Sequence, residues 1–139
     1  MALQSREDHE VSGSYLTRPV GLRQVEISRV DLSSKFAIES ALKLVKPDVI
    51  LNAAAATDVD RCEIDQMYAY TSNVGIPCNL ASVARSIGAT FVQISSDQLF
   101  DGCTPWVSED GVPSPLNYYG VTKAQGEQVV LDKYPDSLI

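Results

Sequence analysis

Short apolar segments alternate along the chain with longer amphipathic segments, an order typical of strands that are each followed by a helix. Pro77 interrupts the longest amphipathic segment, where it should begin a new helix or kink the existing one, and Gly88 should end it. The predicted strands are His9–Tyr15, Val25–Val30, Val49–Leu51 and Thr90–Ile94, with the start of another at Ser137–Ile139. The predicted helices are Ser34–Val45, Glu63–Ile87 and Tyr118–Leu131.

This alternation predicts an α/β fold with a doubly wound parallel sheet, in one domain over residues 1–139. The uninterrupted apolar run Val49–Leu51 is typical of a strand that is buried on both faces of such a sheet. Ligands bind at the carboxyl ends of the strands in these folds. The residues expected there are Asp31, Asn52–Ala54 and Ser95–Asp97.

Composition narrows the class of protein further. Of the 139 residues, 45% are hydrophobic and 21% are charged, as in an ordinary globular protein. A formal net charge of -7 without a basic run argues against nucleic acid as a partner. Without an apolar run of membrane-spanning length or a signal peptide, the sequence indicates a cytoplasmic protein with no membrane partner. Cys62, Cys78 and Cys103 lack a CxxC spacing, so we expect buried free thiols and no metal site.

Tyr119 and Lys123 are four positions apart in a predicted helix and therefore share a face. An ammonium beside a phenol stabilises the phenolate, which makes the phenol a more effective acid. The same spacing also occurs on solvated helix faces. The spacing by itself therefore does not decide between a catalytic pair and a solvated helix face.

Two further segments follow predicted strands. The hydroxyl of Ser96 could donate a hydrogen bond to a substrate carbonyl on which charge develops, although a serine here could equally cap a turn. The small side chains of Ala53 and Ala54 would let a flat cofactor approach the backbone, or would simply allow strand and helix to pack tightly.

Taken together and in this order, these residues resemble the short-chain dehydrogenase/reductase pattern. The chain is more closely similar to the dTDP-4-dehydrorhamnose reductase family, over about His9 to Lys133. The segments that carry this resemblance are Pro47–Ala55, Thr57–Glu63, Val92–Gly102, Ser108–Asp110 and Pro115–Lys123. Gln98 departs from the pattern, because the family usually has tyrosine at this position.

The resemblance implies a Rossmann-like fold and the reduction of a 4-keto nucleotide sugar, as in dTDP-rhamnose biosynthesis. Tyr119 would protonate the C4 oxygen, Ser96 would bond to the same oxygen, and Lys123 would hold the nicotinamide ribose. Asn73 lies where related proteins often carry asparagine. The implied cofactor-binding residues are Arg18, Asp31, Leu32, Ala53, Ala54, Ser95, Tyr119 and Lys123.

The end of the first predicted strand bears on cofactor choice. The segment Tyr15–Arg18 has no acid to bind a ribose diol, whereas Arg18 could meet a 2′-phosphate. We therefore expect NADPH, with NADH as the alternative.

Other interpretations stay open at this point. The Ser95-Ser96-Asp97 form also resembles the regulatory subunit of methionine adenosyltransferase, a cofactor-binding partner without turnover. A nucleotide-sugar epimerase or dehydratase would share Tyr119 and Lys123. The family's Gly-rich turn and its carboxy-terminal sugar-binding region are not found in the sequence, so we expect a fragment that is inactive alone. A homodimer of the full-length protein is left open.

Overall fold

The computed structural model describes residues 9–19, 21 and 25–139. The chain forms two compact units, Met1–Lys46 and Pro47–Ile139, and each is described by itself. Both units contain parallel strands with helices, so the α/β class predicted from the sequence is confirmed.

Within its described residues, the first unit contains two strands and one helix. Strand β1 (Ser12–Tyr15) pairs in parallel with β2 (Glu26–Arg29). Helix α1 (Lys35–Val45) begins after Ser34, whose side chain accepts a hydrogen bond from the backbone N–H of Ala37. All three elements were predicted, with bounds within a few residues of those observed.

The second unit is built on strands β3 (Val49–Asn52) and β4 (Thr90–Gln93), which also pair in parallel. Leu138 forms a parallel bridge with Val92 and exchanges backbone hydrogen bonds with Phe91 and Gln93. The predicted start of a strand at the end of the chain is therefore confirmed. Because the strands are parallel, their carboxyl ends meet at one edge of the sheet.

The helical region between β3 and β4 differs from the prediction of one long helix. Asp58 and Asp65 each accept a hydrogen bond from a backbone N–H three residues later, and each caps a separate helix. Pro77 lies in the first turn of the last helix, and Gly88 ends it in a left-handed conformation (φ 74°), as predicted. The elements are α2 (Val59–Ile64), α3 (Gln66–Tyr70), a π-helical turn (Thr71–Gly75) and α4 (Ile76–Ile87).

Helix α5 (Tyr118–Lys133) follows a loop that contains one 3₁₀ turn, Asp97–Leu99. It packs against α4 and the π-helical turn. The fully buried side chains of this unit include Phe91 of β4, Val83 of α4 and Val130 of α5. None of the helices in the described part of the chain is long and apolar enough to cross a membrane.

Two predictions about burial are wrong. Val49 and Leu51, which were expected to be buried in the sheet, are 57% and 44% exposed. Cys103 is exposed rather than buried, because it lies in the loop before α5.

Candidate active site

The beginning of α5 positions the two residues that the sequence singled out. Tyr119 and Lys123 lie one turn apart and are both buried. The side-chain oxygen of Asn117 accepts the backbone N–H of Gly120 at 2.7 Å. The backbone N–H of Tyr118 donates to the Glu63 carboxylate at 2.5 Å. The first turn of the helix is thus held at two of its otherwise unpaired N–H groups.

Gly120 brings this turn close to the 3₁₀ segment. A side chain at position 120 would overlap the backbone carbonyl of Gln98 and the ring of Pro115. The Gln98 side chain also accepts a hydrogen bond from Asn117 at 2.8 Å. Gln98 therefore supports the residue that caps α5, a role that the sequence did not indicate.

Lys123 extends from α5 to the carboxyl end of β4. Its Nζ donates to the backbone carbonyl of Ile94 at 2.5 Å. Burial lowers the pKa of Lys123 below its ordinary value, and the nearby Glu127 carboxylate offsets part of this effect. The ammonium therefore lies at the peptide group that joins Ile94 to Ser95, the first of the two hydroxyl residues that follow β4.

A buried pair of amides lies at the same edge of the sheet. Asn52 Nδ2 donates to Gln93 Oε1 at 2.8 Å, and Gln93 Nε2 donates to the Ile94 carbonyl at 2.8 Å. Asn52 Oδ1 accepts the backbone N–H of Ala54 at 3.1 Å. Sequence reasoning missed Gln93, because a single glutamine within an apolar strand gives no periodic signal. Its position just before Ser95 and Ser96 is the feature that could have indicated a role.

Asn73 joins the segment after β3 to α5. Its side chain accepts the N–H of Ala56 at 2.8 Å and donates to the Ala56 carbonyl at 3.2 Å. It also donates to the Thr122 hydroxyl at 3.0 Å, which in turn donates to the Tyr119 carbonyl at 2.8 Å. Gly126 lies directly against the Asn73 backbone, where a side chain would overlap its carbonyl oxygen. In the structure Asn73 is thus a buried connector between the Ala53–Ala56 segment and the helix that carries Tyr119.

The Tyr119 side chain packs in a small apolar cluster. Its buried neighbours are Ala56, Cys62 and Ala69. The Cys62 thiol lies 3.7 Å from the Ala56 carbonyl. Burial raises the pKa of Cys62, so the thiol stays protonated and serves as packing.

The two serines after β4 have different environments. Ser96 Oγ accepts the backbone N–H of Gln98 at 3.2 Å and lies 3.4 Å from an Asp97 carboxylate oxygen. Ser96 thus caps the 3₁₀ turn, while among the described residues its hydroxyl hydrogen contacts only the Asp97 carboxylate. Ser95 Oγ is buried without a hydrogen-bond partner in the described part of the chain.

The remaining predicted cofactor residues lie in the first unit. Arg18 is exposed in the bend after β1. Asp31 follows β2 and accepts hydrogen bonds from the Ser33 hydroxyl at 2.7 Å and the Ser33 N–H at 2.9 Å. These bonds, the hydroxyl first, lower the pKa of Asp31 and keep it ionised. Leu32 is half-buried beside it.

Parallel strands, intervening helices and polar groups at the strands' carboxyl ends define a Rossmann-like α/β protein. Residues 7–139 match the family described as the RmlD substrate binding domain, and the chain belongs to this family.

Individual relatives support this assignment. The chain is 40% identical over 102 residues to methionine adenosyltransferase 2 subunit beta of Xenopus tropicalis, covering 73% of this chain and 30% of the relative. It is 36% identical over 106 residues to dTDP-4-dehydrorhamnose reductase of Escherichia coli, covering 75% and 35% respectively. Among solved structures, dTDP-4-dehydrorhamnose reductase from Bacillus anthracis in complex with NADP has a TM-score of 0.77 and 26% identity, covering 91% of this chain and 50% of that chain. The chain thus spans about a third of the length of these curated relatives.

Proposed function

We propose that the protein is an NADPH-dependent oxidoreductase that reduces a 4-keto nucleotide sugar, of the dTDP-4-dehydrorhamnose to dTDP-rhamnose type. The observation that carries the proposal is the placement of Tyr119 and Lys123 one turn apart on α5, with the Lys123 ammonium at the carboxyl end of β4. Ligands of parallel α/β sheets bind at this edge.

The residues at this edge fit a nicotinamide cofactor. The buried Ser95 hydroxyl has no partner among the described residues, and a ligand oxygen would satisfy it. The Lys123 ammonium has three donors, and its bond to Ile94 uses one of them. The side chains of Ala53 and Ala54 are single methyl groups, so a flat cofactor could lie close to the backbone there. The described residues that would hold the cofactor in this unit are Ala53, Ala54, Ser95, Tyr119 and Lys123.

The catalytic roles follow from the chemistry of these groups. A bound nicotinamide supplies the hydride. Tyr119 donates its phenolic proton to the C4 oxygen as negative charge develops there, and the Lys123 ammonium stabilises the resulting phenolate. The Ser96 hydroxyl donates to the same oxygen, since its capping bond to Gln98 uses only an oxygen lone pair.

The relatives agree with this chemistry. The Escherichia coli relative is a dTDP-4-dehydrorhamnose reductase, and the Bacillus anthracis structure of the same enzyme contains NADP. The direct test is to mix the full-length protein with NADPH and follow its absorbance before and after adding a 4-keto nucleotide sugar. Oxidation that begins only on addition of the sugar supports the proposal. NADPH binding with no oxidation for any 4-keto nucleotide sugar would contradict it.

A second candidate function is a regulatory subunit of the methionine adenosyltransferase type. It is favoured by the 40% identity to subunit beta of that enzyme and by the Ser95-Ser96-Asp97 sequence. This alternative predicts NADPH binding without turnover, and a stable complex with a catalytic methionine adenosyltransferase subunit in size-exclusion chromatography. Turnover of a nucleotide sugar without such a complex would exclude it.

A further inference from the structure

A continuous chain of hydrogen bonds connects the Ala54 backbone to the Lys123 ammonium. It runs through the side chains of Asn52 and Gln93 to the carbonyl of Ile94, which Lys123 also contacts. Asn52 and Gln93 are only 3% and 4% exposed. Both ends of this chain lie in the cofactor site proposed above.

The orientation of each amide in this chain follows from one backbone group. The N–H of Ala54 can only donate, so the atom of Asn52 that faces it must be the oxygen Oδ1. The Asn52 nitrogen then faces Gln93 and requires an acceptor there, which must be Oε1. The Gln93 nitrogen is left facing the Ile94 carbonyl, as a donor. Each step allows a single arrangement.

The Ile94 carbonyl therefore receives two donors, Gln93 Nε2 at 2.8 Å and Lys123 Nζ at 2.5 Å. A carbonyl oxygen has two acceptor positions, and both are used here. The Gln93 donor fixes the direction of this carbonyl and restricts Lys123 to the remaining acceptor position. Buried amides need hydrogen-bond partners such as these, whereas an apolar pair at these strand positions would need none.

We propose that Gln93 is a positioning residue that orients the Ile94 carbonyl and, through it, the Lys123 ammonium toward the cofactor. This inference rests on the proposed function, because that function assigns Lys123 to the cofactor and to Tyr119. Gln93 acts without touching substrate or cofactor. Asn52 sets the orientation of the Gln93 amide and so links it to the Ala54 segment.

The test uses the pH dependence of Gln93→Glu in the full-length protein. An ionised carboxylate accepts from Asn52 but cannot donate to Ile94, so kcat should fall by about tenfold to a hundredfold above neutral pH. A protonated carboxyl group restores the donor. The ratio of the variant kcat to the wild-type kcat should therefore recover as pH is lowered. Lys123 and Glu127 on α5 and Asp97 in the segment after β4 are present in both proteins, so the ratio isolates the effect of position 93.

Two further variants complete the experiment. Gln93→Met offers no donor at any pH, so its kcat should stay low without recovery, while KM for the nucleotide sugar changes by less than about twofold. The matched control is Gln128→Glu. Gln128 is an exposed residue of α5 that bonds to Asp132, so this variant should keep the wild-type dependence of kcat on pH. The inference is overturned if Gln93→Glu keeps wild-type kcat at alkaline pH, or if both Gln93 variants lose activity equally at every pH.

Failure of the proposed function can be separated from failure of this inference. If the wild-type protein binds NADPH but does not turn over, the same pH series is run on the NADPH dissociation constant. Because Lys123 would hold the cofactor ribose, Gln93→Glu should then bind NADPH more weakly above neutral pH and recover toward acid pH. Affinity equal to wild type throughout would overturn the positioning role.

Discussion

Glu63 and Tyr118 are 55 positions apart in the sequence, yet the Glu63 carboxylate accepts the backbone N–H of Tyr118 at 2.5 Å. This bond ties the end of α2 to the first turn of α5. Together with Asn117, which accepts the N–H of Gly120, it fixes where α5 begins. The position of Tyr119 thus depends on an acidic residue that belongs to a different helix.

We predict that Glu63→Ala and Asn117→Ala each lower the free energy of unfolding by about 1 kcal/mol, because each leaves a helix N–H without its cap. Urea denaturation followed by circular dichroism measures this change. Glu109→Ala removes an exposed carboxylate in the loop before α5 and serves as the control, with an expected change below about 0.5 kcal/mol. Stability equal to wild type in both capping variants would show that α5 does not depend on these bonds.

A second prediction concerns the contact between α5 and the π-helical turn. Alanine normally stabilises a helix interior by about 1 kcal/mol relative to glycine. At Gly126 a methyl group would overlap the Asn73 carbonyl, so Gly126→Ala should instead destabilise the protein by about 1–3 kcal/mol. The same denaturation measurement applies.

Gly75→Ala is the matched control for this variant. A side chain at Gly75 has no neighbour closer than 4.0 Å, and the backbone there is helical. This variant should be neutral or stabilising. Stabilisation of the protein by Gly126→Ala would contradict the close approach of the two backbones.

The third prediction concerns pH and Lys123. Its pKa is lower in the folded chain than its ordinary value of 10.5, because burial disfavours the ammonium. Between the two values the unfolded chain binds more protons, so the free energy of unfolding contributed by Lys123 rises with pH across that window. Lys123→Met should remove this rise, as measured by urea denaturation at a series of pH values.

The titration of Cys62 also changes stability with pH, in the opposite direction. Its pKa is raised by burial above its ordinary value of 9.0, so above that pH the unfolded chain loses the thiol proton first and stability falls. Cys62 is present in both wild type and Lys123→Met, so its contribution cancels in the difference between the slopes of the two proteins. Equal slopes in the two proteins would contradict the burial effect at Lys123.

Strands and helices were largely predictable from the sequence, whereas burial and the polar network were not. The apolar run Val49–Leu51 predicted a strand correctly. Whether both faces of a strand are buried depends on which elements cover each face, and the periodicity of the strand's own sequence does not contain that information. The helix break at Asp65 was missed because the hydrophobic pattern continues across it. Its capping bond to the Tyr68 N–H explains the break.

In the candidate site, too, some residues could be predicted from the sequence and others could not. Tyr119 and Lys123 could be paired from their spacing, because helix geometry fixes the separation of residues four apart. Gln93 and Glu63 could not be found in this way. Their partners are distant in sequence, and a hydrogen bond between two elements leaves no pattern within either one.

A fourth prediction concerns cofactor choice. If the exposed Arg18 meets the 2′-phosphate of NADPH, Arg18→Ala should lower the ratio of NADPH to NADH affinity by about tenfold or more, since a charge-assisted bond is lost. Fluorescence titration with both cofactors gives this ratio. Arg85→Ala, which removes a bond to the Lys133 carbonyl in the other unit, should leave the ratio unchanged. An unchanged ratio of the two affinities in Arg18→Ala would contradict a role for Arg18 in cofactor binding.

The central claim is that Tyr119 supplies the proton in a reduction that depends on NADPH. Its most direct test compares Tyr119→Phe with Tyr118→Phe, the adjacent tyrosine on the same helix turn, in two assays. These are NADPH binding and oxidation of NADPH by a 4-keto nucleotide sugar. We predict that Tyr119→Phe binds NADPH but loses turnover by at least about a hundredfold, while Tyr118→Phe keeps both. Turnover at the wild-type rate in Tyr119→Phe would contradict the account.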